Sequence, residues 1–221
     1  MRLFGLNVPS ASGFLIAAVI ALGVSTPASA VTASYDLNVI SNANIGTGSQ
    51  GTVTLTENGA NQVDIVVTLK SGVKFVNTGG PHTPFVFNLV AGKTSASVFN
   101  FNPSSFSVQG TNNDATPYGT FTNGVQYSGG MGSGAGSPGP LLFSVLYAGG
   151  LTIADFIQNS FGMFFAADLF GTGGNTGSVA ANAVSVSAVP LPAGVPLLGA
   201  GVALLGFMGW RKKRSASAVA A

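Results

Sequence analysis

The feature that most restricts this chain is a hydrophobic period of two. Val31-Thr-Ala-Ser-Tyr-Asp-Leu-Asn-Val39 alternates apolar and polar residues, as does Thr52-Val-Thr-Leu-Thr56. Val63-Asp-Ile-Val-Val-Thr-Leu69 alternates with one slip, and Pro84 to Val90, Ser97 to Phe101 and Phe106 to Val108 follow the same rule. Alternation sends apolar side chains to one face of a sheet and Thr, Ser and Asn to the other. Leu141 to Tyr147, Gly162 to Ala167 and Ser178 to Val186 are further strand candidates. Gly, Asn, Pro and Ser separate the runs, and Asn58-Gly59 between two of them is a hairpin signal. About nine strands with short turns predict an all-β fold, an antiparallel β-sandwich of jelly-roll-like or immunoglobulin-like type.

One segment breaks the period. Leu151, Ala154, Phe156 and Ile157 are spaced for a short helix of two turns. The Gly/Ser/Pro-rich stretch from Ser128 to Pro140 reads as a mobile loop. The core is expected to be aromatic, from Phe75, Phe85, Phe87, Phe99, Phe101, Phe143, Phe164 and Phe165. No internal repeat is visible, which argues against a solenoid or propeller.

The two ends do not share this pattern. After Arg2, an apolar stretch runs from Phe14 to Val24, followed by Pro27 and the small triplet Ala28-Ser29-Ala30. That is the order of a secretory signal peptide, with cleavage expected after Ala30 through Ala28 and Ala30. At the other end, Ala193 to Trp210 is 18 residues without a charge. As a helix it would be about 27 Å long, close to the bilayer core of about 30 Å. Trp210 suits the headgroup level, and Arg211, Lys212, Lys213 and Arg214 suit the cytoplasmic side. The chain therefore divides into a signal peptide (1–30), an exported domain (31–188), a C-terminal signal with a transmembrane helix (189–214) and a cytoplasmic tail (215–221).

The C-terminal parts carry a resemblance. The box Val189-Pro190-Leu191-Pro192-Ala193, the short Gly-rich hydrophobic helix and the terminal basic cluster, in that order, resemble the PEP-CTERM sorting signal. The resemblance implies a Gram-negative, exopolysaccharide-producing bacterium. It also implies cleavage near Pro190–Ala193 by an exosortase, after signal peptidase has acted at the other end. The precursor would sit transiently in the inner membrane with its domain outside, and the mature form would be at the cell surface or extracellular. A biofilm or matrix role is what the resemblance implies, with exopolysaccharide as partner.

Charge and residue types narrow the chemistry. Only 6% of the 221 residues are charged, and there is no Cys, so disulfides, thiol nucleophiles and Cys-based metal sites are excluded. Eight Lys and Arg, half of them in the terminal cluster, make no nucleic-acid surface. Between the two signals, Lys70, Lys74 and Lys93 face six acids: Asp36, Glu57, Asp64, Asp114, Asp155 and Asp168. The apparently basic protein is thus a mildly acidic domain between two basic-flanked signals. The acids read as outward strand positions or turn residues, with no motif of paired catalytic carboxylates. The single His82 lies in Gly79-Gly-Pro-His-Thr-Pro84, and no Gly-x-Ser-x-Gly elbow meets a strand-to-helix junction. Held between two prolines, His82 is a candidate to present an imidazole to a ligand, against the reading of a turn residue bonded to a neighbouring carbonyl or to Thr83. No catalytic residue and no metal ligand set is assigned. Asn112, Asn113 and Asp114 place oxygen donors in one loop, a calcium candidate, against ordinary turn chemistry. Thr52, Thr54 and Thr56 give one Thr-x-Thr row without the repetition of an ice-binding ladder. The expected function is a noncatalytic surface or matrix protein. The alternatives are a polysaccharide-binding module, a calcium-clamped adhesion-type sandwich or a hydrolase.

Overall fold

The computed structural model describes residues 30–110, 113–129 and 135–188. They form thirteen strands in two antiparallel sheets. The strands are β1 (Thr32–Asp36), β2 (Val39–Ile40), β3 (Gly51–Glu57), β4 (Gln62–Leu69), β5 (Lys74–Phe75), β6 (Phe85–Phe87) and β7 (Ser97–Asn102). They continue with β8 (Phe106–Gln109), β9 (Asn123–Tyr127), β10 (Leu141–Leu146), β11 (Phe165–Phe170), β12 (Thr176–Ala181) and β13 (Val184–Ala188). The front sheet has the order β13-β1-β3-β4-β10-β7, and the back sheet β2-β12-β11-β6-β9-β8, with β5 pairing β11.

Alternation forms the front sheet as expected. Val53, Leu55, Val63, Ile65, Val67, Phe143 and Val145 point inward and are buried. Their Thr, Asp and Ser neighbours point outward. The β3–β4 hairpin turns at Asn58-Gly59, where Gly59 takes φ +76° and the Asn58 N–H donates to Gln62 O at 2.9 Å. Only a residue without Cβ enters that region cheaply.

The back sheet follows a different rule, because both its faces are covered. β6 and the first five residues of β11 are buried at every position. Inward, Phe85, Phe87, Phe165 and Leu169 join the main core. Outward, Val86, Ala166 and Ala180 pack under Ala115, Tyr118 and Phe121, which lie in the segment between β8 and β9. A strand buried on both faces gains nothing from alternation, and β11, Phe-Ala-Ala-Asp-Leu-Phe, hardly shows it.

Several expectations are corrected. The run from Val31 to Val39 is not one strand. It splits at Leu37-Asn38 into β1 in the front sheet and β2 in the back sheet. The Ser178–Val186 candidate likewise splits into β12 and β13, and the Gly162–Ala167 candidate moves to Phe165–Phe170. β5 and β9 are strands that periodicity does not mark. In β9 the Asn123-Gly124 pair lies inside a strand, because the Asn113 side chain covers Gly124, where a Cβ would collide with it.

The two-turn helix is absent: residues Ile153–Asp155 form one 3-10 turn. Its carboxylate is satisfied within that turn, where the N–H and hydroxyl of Thr152 donate to Asp155 Oδ2 at 2.8 and 3.1 Å. Lys93 Nζ adds an ion pair at 2.7 Å, and Phe156 then leaves the turn to bridge Leu89. Part of the expected mobile loop is pinned, since Ser137 and Phe75 exchange two backbone hydrogen bonds of 2.7 and 2.9 Å.

The aromatic core is present with changed membership. The Phe85 ring lies 5.8 Å from Phe143, 6.0 Å from Phe165 and 6.5 Å from Phe87. Phe101 and Phe164 are half-buried against this core. Phe99 is not in it, because its register partner Ser144 is on the outer face of the front sheet. Tyr35, Phe106, Tyr127 and Phe156 supply further buried rings. Each buried Phe contributes about 1.5–3 kcal/mol of transfer free energy. Phe85→Ala should therefore lower unfolding free energy by about 3–5 kcal/mol in urea denaturation. Val108→Thr, at a position 44% exposed, should change it by less than about 0.5 kcal/mol.

Candidate functional site

Three places on the molecule hold the chemistry-bearing residues. The first is a polar cluster under the strap of residues 77–84, on the outward face of the back sheet. Asp168 of β11 pairs in register with Ser178 of β12, and both are 1% exposed. Asp168 Oδ2 accepts from the Thr78 N–H at 3.1 Å and from its hydroxyl at 2.6 Å. Asp168 Oδ1 is buried without a hydrogen-bond partner. His82 Nδ1 lies 3.3 Å from Ser178 Oγ. His82 also bridges Ala115, and Thr83 N–H donates to Asp114 O at 2.8 Å, which ties the strap to the next segment.

Ser, His and Asp thus come together, contrary to the reading of His82 as a locally bonded turn residue, and Asp168, outward from its sheet, is buried by the strap. Their connectivity is not that of a hydrolase. Oδ2 of the carboxylate that would orient the imidazole is held by Thr78, neither of its oxygens bonds His82, and the serine is sealed from solvent. The cluster ties the strap down. Burial pushes the Asp168 carboxyl above its usual range, and this outweighs the hydrogen bonds from Thr78 and the attraction of His82.

The calcium candidate is divided. Asn112 lies outside the described residues. Asn113 Nδ2 donates to Thr122 O at 3.2 Å, and its Oδ1 is buried against Gly124 without a hydrogen-bond partner. Asp114 pairs through its backbone with Thr120 and Thr83. Among the described residues, no three acidic or His side chains gather to hold a metal.

The second place is an apolar groove of about 630 Å³ at the β1–β13 edge, lined by Ala33, Tyr35, Ile153, Phe156, Phe164 and Glu57 among others. Its carboxylate is tied, since Glu57 Oε1 accepts from the Ile153 N–H at 3.0 Å.

The third is the outer face of the front sheet, where register lines side chains up in rows. Thr32, Thr56, Asp64, Ser144 and Phe99 are successive partners from β1 to β7. Ser34, Thr54, Val66, Leu142 and Asn102 form the next row, and Asp36, Thr52 and Thr68 a third. Hydroxyls meet across strands: Thr32 with Thr56 at 3.5 Å and Ser34 with Thr54 at 3.4 Å. Asp64 is the fixed point. It accepts from Gln62 Nε2 at 2.6 Å, Ser144 Oγ at 2.8 Å and Asn58 Nδ2 at 2.8 Å. Partial burial pushes its carboxyl up, but these three donors outweigh that and hold it below the usual range. The single Thr row read from sequence is therefore one part of a wider patterned face.

The remaining predicted residues, Ala28, Val189 to Ala193, Trp210 and Arg211 to Arg214, lie outside the described residues. Ala30 is described and exposed. Among the described residues no helix is long and apolar enough to cross a membrane. No family model matches the chain, and neither a curated protein nor a solved structure matches it.

The two carboxylates give opposite pH signatures. Asp168 is raised in the native state, so its contribution to stability is complete below the ordinary value of about 3.9 and is lost as pH rises through the native one. Asp64 is lowered, so its contribution is present above that value and is lost as pH falls through the native one. Urea denaturation from pH 3 to 7 should show wild type losing ground to Asp168→Asn as pH rises. It should show wild type losing its advantage over Asp64→Asn as pH falls.

Proposed function

We propose that the chain is an exported, noncatalytic protein of the cell surface or extracellular matrix. In this reading signal peptidase removes residues 1–30. The span Ala193–Trp210 and the cations Arg211–Arg214 hold the precursor in the inner membrane, domain outside. An exosortase then cuts at the box Val189–Ala193, and exopolysaccharide retains the released domain. The sorting signal carries this reading on the sequence side.

The observation that supports it on the structural side is the pairing of the first and last described strands. β1 and β13 run side by side, with Thr32 opposite Ala188. The domain is thereby closed between the two expected cleavage regions. The noncatalytic part rests on the Ser178–His82–Asp168 arrangement, which lacks both the connectivity and the access of a hydrolase.

Intact-mass spectrometry of the exported product tests the processing. The expected species begins at Val31 and ends within or before Val189–Ala193. A mature product that still contains Arg211–Arg214 overturns it.

A further inference from the structure

Retention in a polysaccharide matrix requires a surface that holds sugar, and the outer face of the front sheet has the required parts in one line. Its origin is a bulge in β7. Ser144 pairs Phe99 and Leu142 pairs Asn102, so three steps on β7 match two on β10. Asn100 absorbs the extra residue at φ +59°. The bulge re-aims the strand, so that Phe99 faces outward while Phe101 returns to the core. A half-buried ring then stands at one end of a row that continues through Ser144, Asp64, Thr56 and Thr32. Four interstrand steps make the row about 19 Å long, room for a short run of sugar rings.

We propose that this row is a binding strip for a neutral, hydroxyl-rich glycan chain, in which Phe99 stacks on the C–H face of a sugar ring and Asp64 accepts from one sugar hydroxyl. The proposal rests on the reading that the protein is retained by polysaccharide, and it names the surface and the glycan class. A carboxylate offers about four acceptor directions. Gln62, Ser144 and Asn58 use three on Asp64, which fixes the group and leaves one for a ligand. Because the group is preorganised, binding costs it little side-chain freedom.

Charge selects the polymer. The strands of the front sheet contain Asp36, Glu57 and Asp64 and no Lys or Arg. Polyuronates and sulfated glycans would meet only like charge.

The test is affinity electrophoresis of the full chain in detergent, in native gels containing hydroxyethyl cellulose, dextran or alginate. A neutral glucan should retard the wild type, and alginate should not. Phe99→Ala should weaken the retardation at least tenfold. Phe99→Tyr, which keeps the ring, should preserve it, so a general loss of fold is separable from loss of stacking. Val108→Thr on the back sheet should bind as wild type. Retardation that survives Phe99→Ala, or that is as strong in alginate, overturns the strip while leaving polysaccharide retention standing. Absence of retardation in every gel overturns both.

Discussion

The structure depends on the aromatic contact between the sheets. Phe85 and Phe87 of the back sheet meet Phe143 of the front sheet, and Phe165 completes the group. These rings fix register as well as stability. A one-residue slip in β10 would send Phe143 to the wet face and lose its burial, and a slip in β6 or β11 would drive the rings into the space that Tyr118 and Phe121 already fill. The rows on the outer face of the front sheet follow from that choice. Once Phe143 points inward, Ser144 must point outward, beside Asp64.

With so few charges, three carboxylates carry distinct structural tasks. Asp155 closes a 3-10 turn and binds Lys93. Asp168 ties the strap of residues 77–84 to the back sheet through Thr78. Asp64 organises two amides and a hydroxyl on the front sheet. Solubility on that face is carried by hydroxyls and amides, which form cross-strand contacts without the repulsion a dense charge pattern would bring. The back sheet solves its outward face differently. Residues between β8 and β9 cover it with Tyr118 and Phe121. The buried Tyr118 hydroxyl donates to Val39 O at 2.8 Å, and burial pushes its pKa up to about 12.

Legibility in the sequence followed the number of covered faces. β3, β4 and β10 have one wet face, and their alternation marked them within a residue or two. β6, β11 and β12 are buried on both faces, so their limits blurred. β9 carries an Asn-Gly pair inside the strand, where the Asn113 side chain from the segment just before it covers Gly124. Phe99 was misassigned because hydrophobicity was read as inwardness, and the bulge at Asn100 reverses that inference. His82 and Asp168 are 86 positions apart in the chain, and no local pattern could announce that Ser178 would lie beside both.

The sequence by itself determined the class: antiparallel strands, a phenylalanine core, a hairpin at Asn58-Gly59 and terminal segments unlike the domain between them. Those are properties of local pattern, since periodicity and turn chemistry act over a few residues. Only the tertiary structure decided which strands became neighbours, which acid was buried and which aromatic faced solvent. Strand order, cross-strand register and the bulge are long-range matters. They are fixed by the joint packing of side chains from both sheets, and no short stretch of sequence contains them.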